Sequence, residues 1–354
     1  MISASAPGRV NLIGEHTDYN GGLVLPTPIP QRTRVELELR DDARVIVSTA
    51  ELATSAEFVL GNERRSGTWL DYVQGCTAAA RRAGFPLHGA NIAISSNVPL
   101  GSGLSSSAAL EVAVLRAFRE ALHLDLDDLA LALLGQRAEN DLVGAPVGAM
   151  DQVAVSMGTP GAALLIDMRT LAARRIPLPH ADLLVISSGI QHDHAAGDYR
   201  TRRAECEEAA RLLGVKLLSD LDVGDLARIC RLPTPLRGRV RHVVTENARV
   251  RQAVEAIEQN DLVRLGVLFR ESHKSMRDDY EVSIAAIDML VEIAEAQPDV
   301  YGARLTGGGF GGSIVAIAKP GSGERAADAI IHEFARTGYS GQVLIAGEVP
   351  CDPS

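Results

Sequence analysis

Apolar residues along this chain recur with two different periods, and the changes of period mark its elements. Between residues 35 and 47 the pattern is short and strand-like: Val35-Glu36-Leu37-Glu38-Leu39 alternates, and Arg44-Val45-Ile46-Val47 runs mostly apolar. The Asp41-Asp42 pair between them predicts a hairpin. A further strand, Ala90 to Ser95, leads into Asn97-Val98-Pro99-Leu100-Gly101-Ser102-Gly103. Past those glycines the period lengthens. Leu104, Ala108, Val112, Leu115, Phe118 and Leu122 recur at helical spacing, so a helix opens at a glycine- and serine-rich turn. Asp125 to Leu142 repeats the helical pattern, with Asp127-Asp128 in its first turn.

Further along, Leu164-Leu165-Ile166-Asp167 and Leu183-Leu184-Val185-Ile186 read as strands, and Arg174-Arg175-Ile176-Pro177-Leu178-Pro179 between them reads as a linker. A helix spans about Asp198 to Leu213, and more helices follow through residue 295. A glycine cluster at 307–312 then runs into the strand Ser313-Ile314-Val315-Ala316-Ile317-Ala318. Strands and helices mixed without a regular βαβ rhythm predict an α+β fold. The 354 residues suit two domains, expected at 1–178 and 179–354.

Composition narrows the class. Hydrophobic residues make up 46% and charged residues 23%, as in a soluble globular protein. A net charge of −10 disfavours nucleic acid and anionic membranes as partners, because neither finds a basic surface on which to release counterions. Cys76, Cys206, Cys230 and Cys351 show no C-x-x-C spacing, which points to a reducing cytoplasm rather than a zinc site or disulfide scaffold. The residues after Met1 lack the basic and apolar regions of a signal peptide, and no apolar run is long enough to span a bilayer.

Four segments carry candidate chemistry. In Pro99-Leu100-Gly101-Ser102-Gly103-Leu104-Ser105-Ser106-Ser107, glycines let backbone N–H groups approach oxyanions and the next helix offers its positive end. The serines add hydroxyls, one of which could hold Mg²⁺ as a hard oxygen ligand. The segment is neither a Walker A loop nor a dinucleotide fingerprint, and taken alone it reads equally as a flexible helix-capping turn. Arg9, Glu15, His16 and Asp18 crowd among glycines in Ala6 to Gly22. Carboxylates and imidazole suit sugar hydroxyls, and a guanidinium suits a transferring phosphoryl group. The plainer alternative there is a solvated polar turn. Asp151, in Gly148-Ala149-Met150-Asp151-Gln152, is open to a helix-capping role, and Glu139 to plain solvent exposure. Thr306 to Gly312 reads as a second phosphate-side loop or a tight backbone crossing.

Together these segments resemble the galactokinases, members of the GHMP small-molecule kinase superfamily. Residues 6–26, 97–110, 139–152 and 304–315 match in the family's order, supported by Trp69 to Gly75 and Met276 to Ser283. Gly14-Glu15-His16-Thr17-Asp18-Tyr19-Asn20 is the most specific match, separating galactokinases from mevalonate and homoserine kinases. The resemblance implies an N-terminal mixed-sheet domain, a ferredoxin-like C-terminal domain and an active site between them. It also implies ATP as co-substrate with Mg²⁺ on Ser107 and Glu139, ATP phosphates on loop 99–107, and Trp69 and Tyr72 near the adenine. Glu15, His16, Asp18, backbone around Gly148, Asp151 and Tyr199 then correspond to the sugar-binding set, and Arg9 and Asp151 occupy the catalytic positions. Val147 stands where many relatives have cysteine, and Gln191 where they carry a basic residue.

The expected reaction follows from those assignments. Asp151 accepts the C1 proton of galactose as that oxygen attacks the γ-phosphorus, while Arg9 keeps Asp151 ionised and steadies the phosphoryl charge. The chain is expected to be a cytoplasmic monomer or weak dimer. Kinases for N-acetylgalactosamine, arabinose or galacturonate on the same scaffold stand as alternatives, as does a non-catalytic sugar and ATP sensor.

Overall fold

The computed structural model describes residues 1–145, 147–190 and 195–348. In chain order the elements are β1 (Ile2–Asn11), β2 (Leu23–Val24), β3 (Pro26–Leu39), β4 (Arg44–Thr49), β5 (Thr54–Val59), α1 (Leu70–Arg82), β6 (Ala90–Ser96), α2 (Ser106–Leu122), α3 (Asp128–Ala138) and α4 (Met150–Met157). They continue with β7 (Ala162–Asp167), β8 (Ala173–Pro177), β9 (Asp182–Ser187), α5 (Ala195–Leu213), α6 (Leu236–Glu258), α7 (Leu262–Ser275), α8 (Ala285–Glu295), β10 (Val300–Thr306), β11 (Ser313–Ala318), α9 (Gly323–Arg336) and β12 (Gln342–Glu348). Two compact units result. One comprises Met1–Arg9, Pro28–Leu100 and Leu104–Gly158; the other comprises Val10–Thr27, Gly101–Gly103 and the chain from Thr159 onward.

The first unit holds a mixed sheet in the order β1-β3-β6-β4-β5. The hairpin expected from Asp41-Asp42 does not form, because β6 enters between its two arms. It pairs antiparallel with β3 and parallel with β4, placing Ile92 opposite both Leu37 and Val47. Gly89 leads it in, accepting from Arg40 N at 2.8 Å and donating to the Asp42 carbonyl at 3.1 Å. Burying the apolar Ile92 and Ile94 between two apolar strands outweighs the local turn signal. The predicted stripe on α2 is buried at Ala108, Val112, Leu115 and Phe118. Asp127 caps α3 by accepting from Ala130 N at 2.7 Å. That helix then widens into a π turn, Glu139–Val143, of the kind often found at functional sites.

The second unit contains a four-stranded antiparallel sheet in the order β10-β11-β9-β12. With a helical crossover before β10 and α9 before β12, this is the βαββαβ ferredoxin-like arrangement. Leu184, Ile186, Val240, Val243, Leu290 and Phe334 share its core. A smaller sheet runs β2-β7-β8. The segment read as a linker is partly strand β8: Ile176 is buried beside β7 while Arg174 and Arg175 reach outward. Its proline stands at the last strand position, where a missing N–H does least harm to a ladder. Among the described residues, no helix is long and apolar enough to cross a membrane.

Candidate functional site

In the first unit, Arg9 ends the stretch of β1 that lies against the serine loop. The Arg9 N–H donates to the Leu104 carbonyl at 3.1 Å, and the preceding Gly8 has no room for a side chain. An added Cβ there would meet the Leu104 carbonyl oxygen at 2.7 Å and Ile29 Cδ1 at 2.9 Å. The Arg9 guanidinium grips Asp151, in the first turn of α4, from two sides. Nε donates to Oδ1 at 2.9 Å, and Nη2 donates to Oδ1 and Oδ2 at 2.6 Å each. Ser105 Oγ adds a 2.6 Å bond to Oδ2. Such charge-assisted, forked bonds fix a carboxylate in direction as well as place. The Arg9 side chain is buried, but that of Asp151 stays 30% exposed, enough to meet a ligand. Asp151 is therefore bound to Arg9 and Ser105 rather than serving as a helix cap.

Glu139 opens the π turn and is buried, not solvent-exposed. Burial pushes its carboxyl up to about 7, the charge of Asp151 adds to that, and hydrogen bonds from Gln152 and Ser107 oppose it. Gln152 Nε2 donates to Glu139 Oε2 at 2.8 Å and to Glu111 Oε2 at 2.9 Å. Glu111 lies one helical turn after Ser107 on α2 and is fully buried. Burial, then the charge of Glu139, pushes it well above the usual carboxylate range. The Tyr72 hydroxyl lies close enough to both acids to be raised to about 12, mainly by burial and then by Glu139.

The serine loop has the backbone its glycines imply. Gly101, Gly103 and Ser105 all have positive φ, at 68°, 77° and 59°, and α2 begins immediately after them at Ser106. A helix start of that kind offers unpaired N–H groups to an anion. Leu100 and Ser106 also line a largely apolar cavity of about 120 Å³ with Trp69, Ile94, Val98 and Leu110. Trp69 lines it and Tyr72 does not.

The second unit builds a different cluster. Glu15 is buried with four donors on its carboxylate. Thr306 Oγ1 and Gly307 N reach Oε1 at 3.1 and 3.0 Å, while Asn11 Nδ2 reaches Oε2 at 2.9 Å and the Arg304 guanidinium pairs with that same oxygen. Burial raises its pKa, and Arg304 opposes that rise. Arg304 is itself fully buried, donating to the Leu12 carbonyl at 2.8 Å and to Ser272 Oγ at 3.1 Å. Next to Glu15, His16 takes a left-handed φ of 61°, uncommon for a residue with a side chain. Its Nδ1 lies 3.0 Å from the Tyr19 hydroxyl, and its ring lies 5.7 Å from that of Tyr199 and 4.7 Å from that of Tyr280. Burial pushes His16 down to about 3, leaving it a neutral imidazole. Asp18 begins a 3₁₀ turn, Asp18–Asn20. A cavity of about 320 Å³ is lined by Gly101, Gly103, Tyr199, Thr306 and the 308–312 glycine run. In that run Gly309 has φ of 81° and lies so close to Val282 that a Cβ would meet its carbonyl oxygen at 2.5 Å.

The expected residues thus fall into two groups: Arg9, Ser105, Ser107, Glu139 and Asp151 in the first unit, and Glu15, His16, Asp18 and Tyr199 in the second. Gly148 lies in the irregular segment before α4, and nearby Val147 N donates to Asn140 Oδ1 at 2.8 Å. Gln191 lies outside the described residues. Sequence reasoning passed over Glu111, Gln152 and Arg304. Only Glu111 carried a signal, its four-residue spacing from Ser107 on one helix face.

Three sequence families match the chain: the galactokinase galactose-binding signature over residues 2–38, the GHMP kinases N terminal domain over 71–159 and the GHMP kinases C terminal domain over 253–338. The galactokinase of Chloroflexus aggregans is 45% identical over 352 residues, covering 97% of this chain and 90% of that one. The galactokinase of Haemophilus influenzae strain Rd is 46% identical over 327 residues, covering 90% and 85%. The crystal structure of Lactococcus lactis galactokinase complexed with galactose matches with a TM-score of 0.92 and 32% identity, covering 98% of this chain and 94% of that one. Mevalonate kinase from Methanococcus jannaschii, at 17% identity and a TM-score of 0.71, shares the fold.

Proposed function

The chain belongs to the galactokinase family of GHMP kinases, and we infer that it transfers the γ-phosphoryl group of ATP to the C1 hydroxyl of D-galactose, giving galactose 1-phosphate and ADP. The observation that carries the residue-level reading is the Arg9–Asp151 pair, a half-open carboxylate gripped by a buried guanidinium. Asp151 accepts the proton of the attacking hydroxyl, and Arg9 directs that carboxylate and stabilises charge on the transferring oxygens. The apolar cavity beside Trp69 suits an adenine, and loop 99–107 suits the phosphates.

The donor set fits Mg²⁺. Ser107 and Glu139 offer hard oxygens hydrogen-bonded to each other, and the Glu139 carboxyl is buried. Among the described residues no cluster of three or more acids, histidines or cysteines could cage a metal alone. A cation shared with ATP phosphates, which needs only one or two protein ligands, suits such a pair. Bound there, Mg²⁺ would neutralise charge building on the phosphates. His16, Asp18 and Tyr199 read the sugar hydroxyls, with backbone near Gly148. Glu15 belongs to that set, but four protein donors already occupy it, so a sugar hydroxyl reaching it shares or displaces one of them. Four cysteines without C-x-x-C spacing support a cytoplasmic location.

The test is ADP release from purified protein with MgATP across galactose, glucose, N-acetylgalactosamine, arabinose and galacturonate, with Asp151→Ala as the blank. Turnover is greatest on galactose and lost in the variant. Preference for another sugar overturns the galactose assignment, and ATP binding without turnover on any sugar turns the reading to a sensor.

A further inference from the structure

We propose that Glu111 and Gln152 act as positioning residues that fix the Glu139 carboxylate for the divalent cation, tying the two cation ligands to one helix. The inference rests on the reading of Ser107 and Glu139 as those ligands. Its basis is one buried amide. Gln152 is fully buried, and both hydrogens of its Nε2 are committed: one to Glu139 Oε2 at 2.8 Å, the other to Glu111 Oε2 at 2.9 Å.

An amide held at one hydrogen can still swing about that bond. Held at both, it is fixed in plane and direction, and so is the carboxylate it serves. The anchor's own location completes the argument. Glu111 stands one turn after Ser107 on α2, so this helix carries one ligand directly and sets the other through Glu111 and Gln152. Their separation then depends on a rigid helix rather than on the π turn that begins at Glu139. The arrangement is poor economy for stability alone. Glu111 Oε1 and Gln152 Oε1 are both buried without a hydrogen-bond partner, an uncommon state that calls for another reason to persist. Outer partners that hold a metal ligand's orientation are such a reason, and their loss typically weakens metal affinity or activity about 10- to 100-fold.

The test measures Mn²⁺ binding to the whole chain in the presence of AMP-PNP, read from the electron paramagnetic resonance signal of free Mn²⁺. Glu111→Leu, which removes the anchoring acceptor, weakens binding by about 10-fold or more. Gln152→Met, similar in shape but unable to donate, does the same. Glu111→Gln keeps an oxygen for the amide and stays within about threefold of wild type. In turnover assays the Mg²⁺ concentration for half-maximal rate rises in step while the KM for galactose holds. Circular dichroism melts confirm folding, and Gln152→Met carries the test alone if Glu111→Leu does not fold. Wild-type Mn²⁺ binding in Glu111→Leu or Gln152→Met, or equal losses in Glu111→Leu and Glu111→Gln, overturns the proposal. Glu139→Ala separates the two levels: undiminished binding there overturns the ligand reading itself, and the positioning role with it.

Discussion

Replacing Arg304 by methionine removes a fully buried cation from beneath the Glu15 loop, and the cost can be bounded from the structure. Glu15 keeps three neutral donors, Asn11, Thr306 and Gly307, but loses its counter-charge. Glu246, whose Oε1 lies 3.7 Å from Arg304, keeps Arg249 at 2.7 Å. The buried charge left over can be relieved by protonating Glu15. From an ordinary value of 4.5, holding that proton at pH 7 costs about 3.4 kcal/mol, and at pH 5 about 0.7 kcal/mol. The Leu12 carbonyl and Ser272 hydroxyl also lose a donor, adding about 1–2 kcal/mol at any pH. The expected loss is therefore at most about 5 kcal/mol at pH 7 and about 2 kcal/mol at pH 5, because burial already raises Glu15 in the intact pair and that part of the cost is common to both chains. The sign follows from linkage. Without Arg304 the folded chain binds a proton that the unfolded chain releases above about 4.5, so the variant loses stability as pH rises. Adding Glu15→Gln to Arg304→Met recovers most of the loss at pH 7, the signature of coupling between the pair. Urea unfolding followed by circular dichroism measures it, with fluorescence of Trp69, the chain's single tryptophan, as a reference in the first unit. A deficit equal at both pH values, or no recovery in the double variant, refutes the reasoning.

Three further outcomes are expected. Asp151→Asn lowers kcat on galactose by about 10²–10⁴ with KM changed little, since general-base loss falls on the chemical step; near-normal turnover in a steady-state assay removes the base role. Gly8→Ala costs about 1–3 kcal/mol, because its Cβ would sit 2.7 Å from a backbone oxygen that cannot yield cheaply, and kcat falls as Arg9 shifts; an unchanged melting temperature contradicts it. His242 is held neutral by burial and pushed down to about 4, whereas an unfolded imidazole takes a proton near 6.5. Its contribution to folding stability therefore declines as pH falls through that window, by up to about 3 kcal/mol, and a difference in urea-derived stability between wild type and His242→Gln that stays flat between pH 7 and 4 contradicts it.

Local signals were legible where neighbours in sequence decide structure. Helix α2 could be read because its apolar stripe and its glycine-serine opening both lie within one segment. The two arms flanking Asp41-Asp42 are strands, but their pairing was misread because the competing partner, β6, lies some 50 residues away. Strand β8 looked like a linker because two arginines and a proline outweigh one buried isoleucine in any local count. The chemical groups divide the same way. Arg9, Glu15, His16 and Asp18 crowd into one stretch that invites attention. Gln152 and Arg304 are single polar residues within regular elements, indistinguishable in sequence from surface positions until packing shows them buried, and Glu111 offers only its spacing from Ser107.

Those hidden residues also explain why so much charge is buried in a chain that gains little stability from it. A buried ion pair costs desolvation that apolar side chains of the same size would avoid, so Arg304 with Glu15 and Glu246 with Arg249 are weak contributors to folding. What they supply is direction. Arg304 donates to a carboxylate, a backbone carbonyl and a hydroxyl at once, and so fixes three segments of the second unit against each other. Apolar packing of equal volume would hold those segments together but would not define hydrogen-bond vectors. The loop it fixes carries His16 in a strained left-handed conformation. Reading a sugar by its hydroxyls requires donors and acceptors held to fractions of an ångström, and a phosphoryl transfer depends on that same placement. Stability is spent on the sites where position matters, and both the Glu15 network and the Gln152 bridge follow that rule.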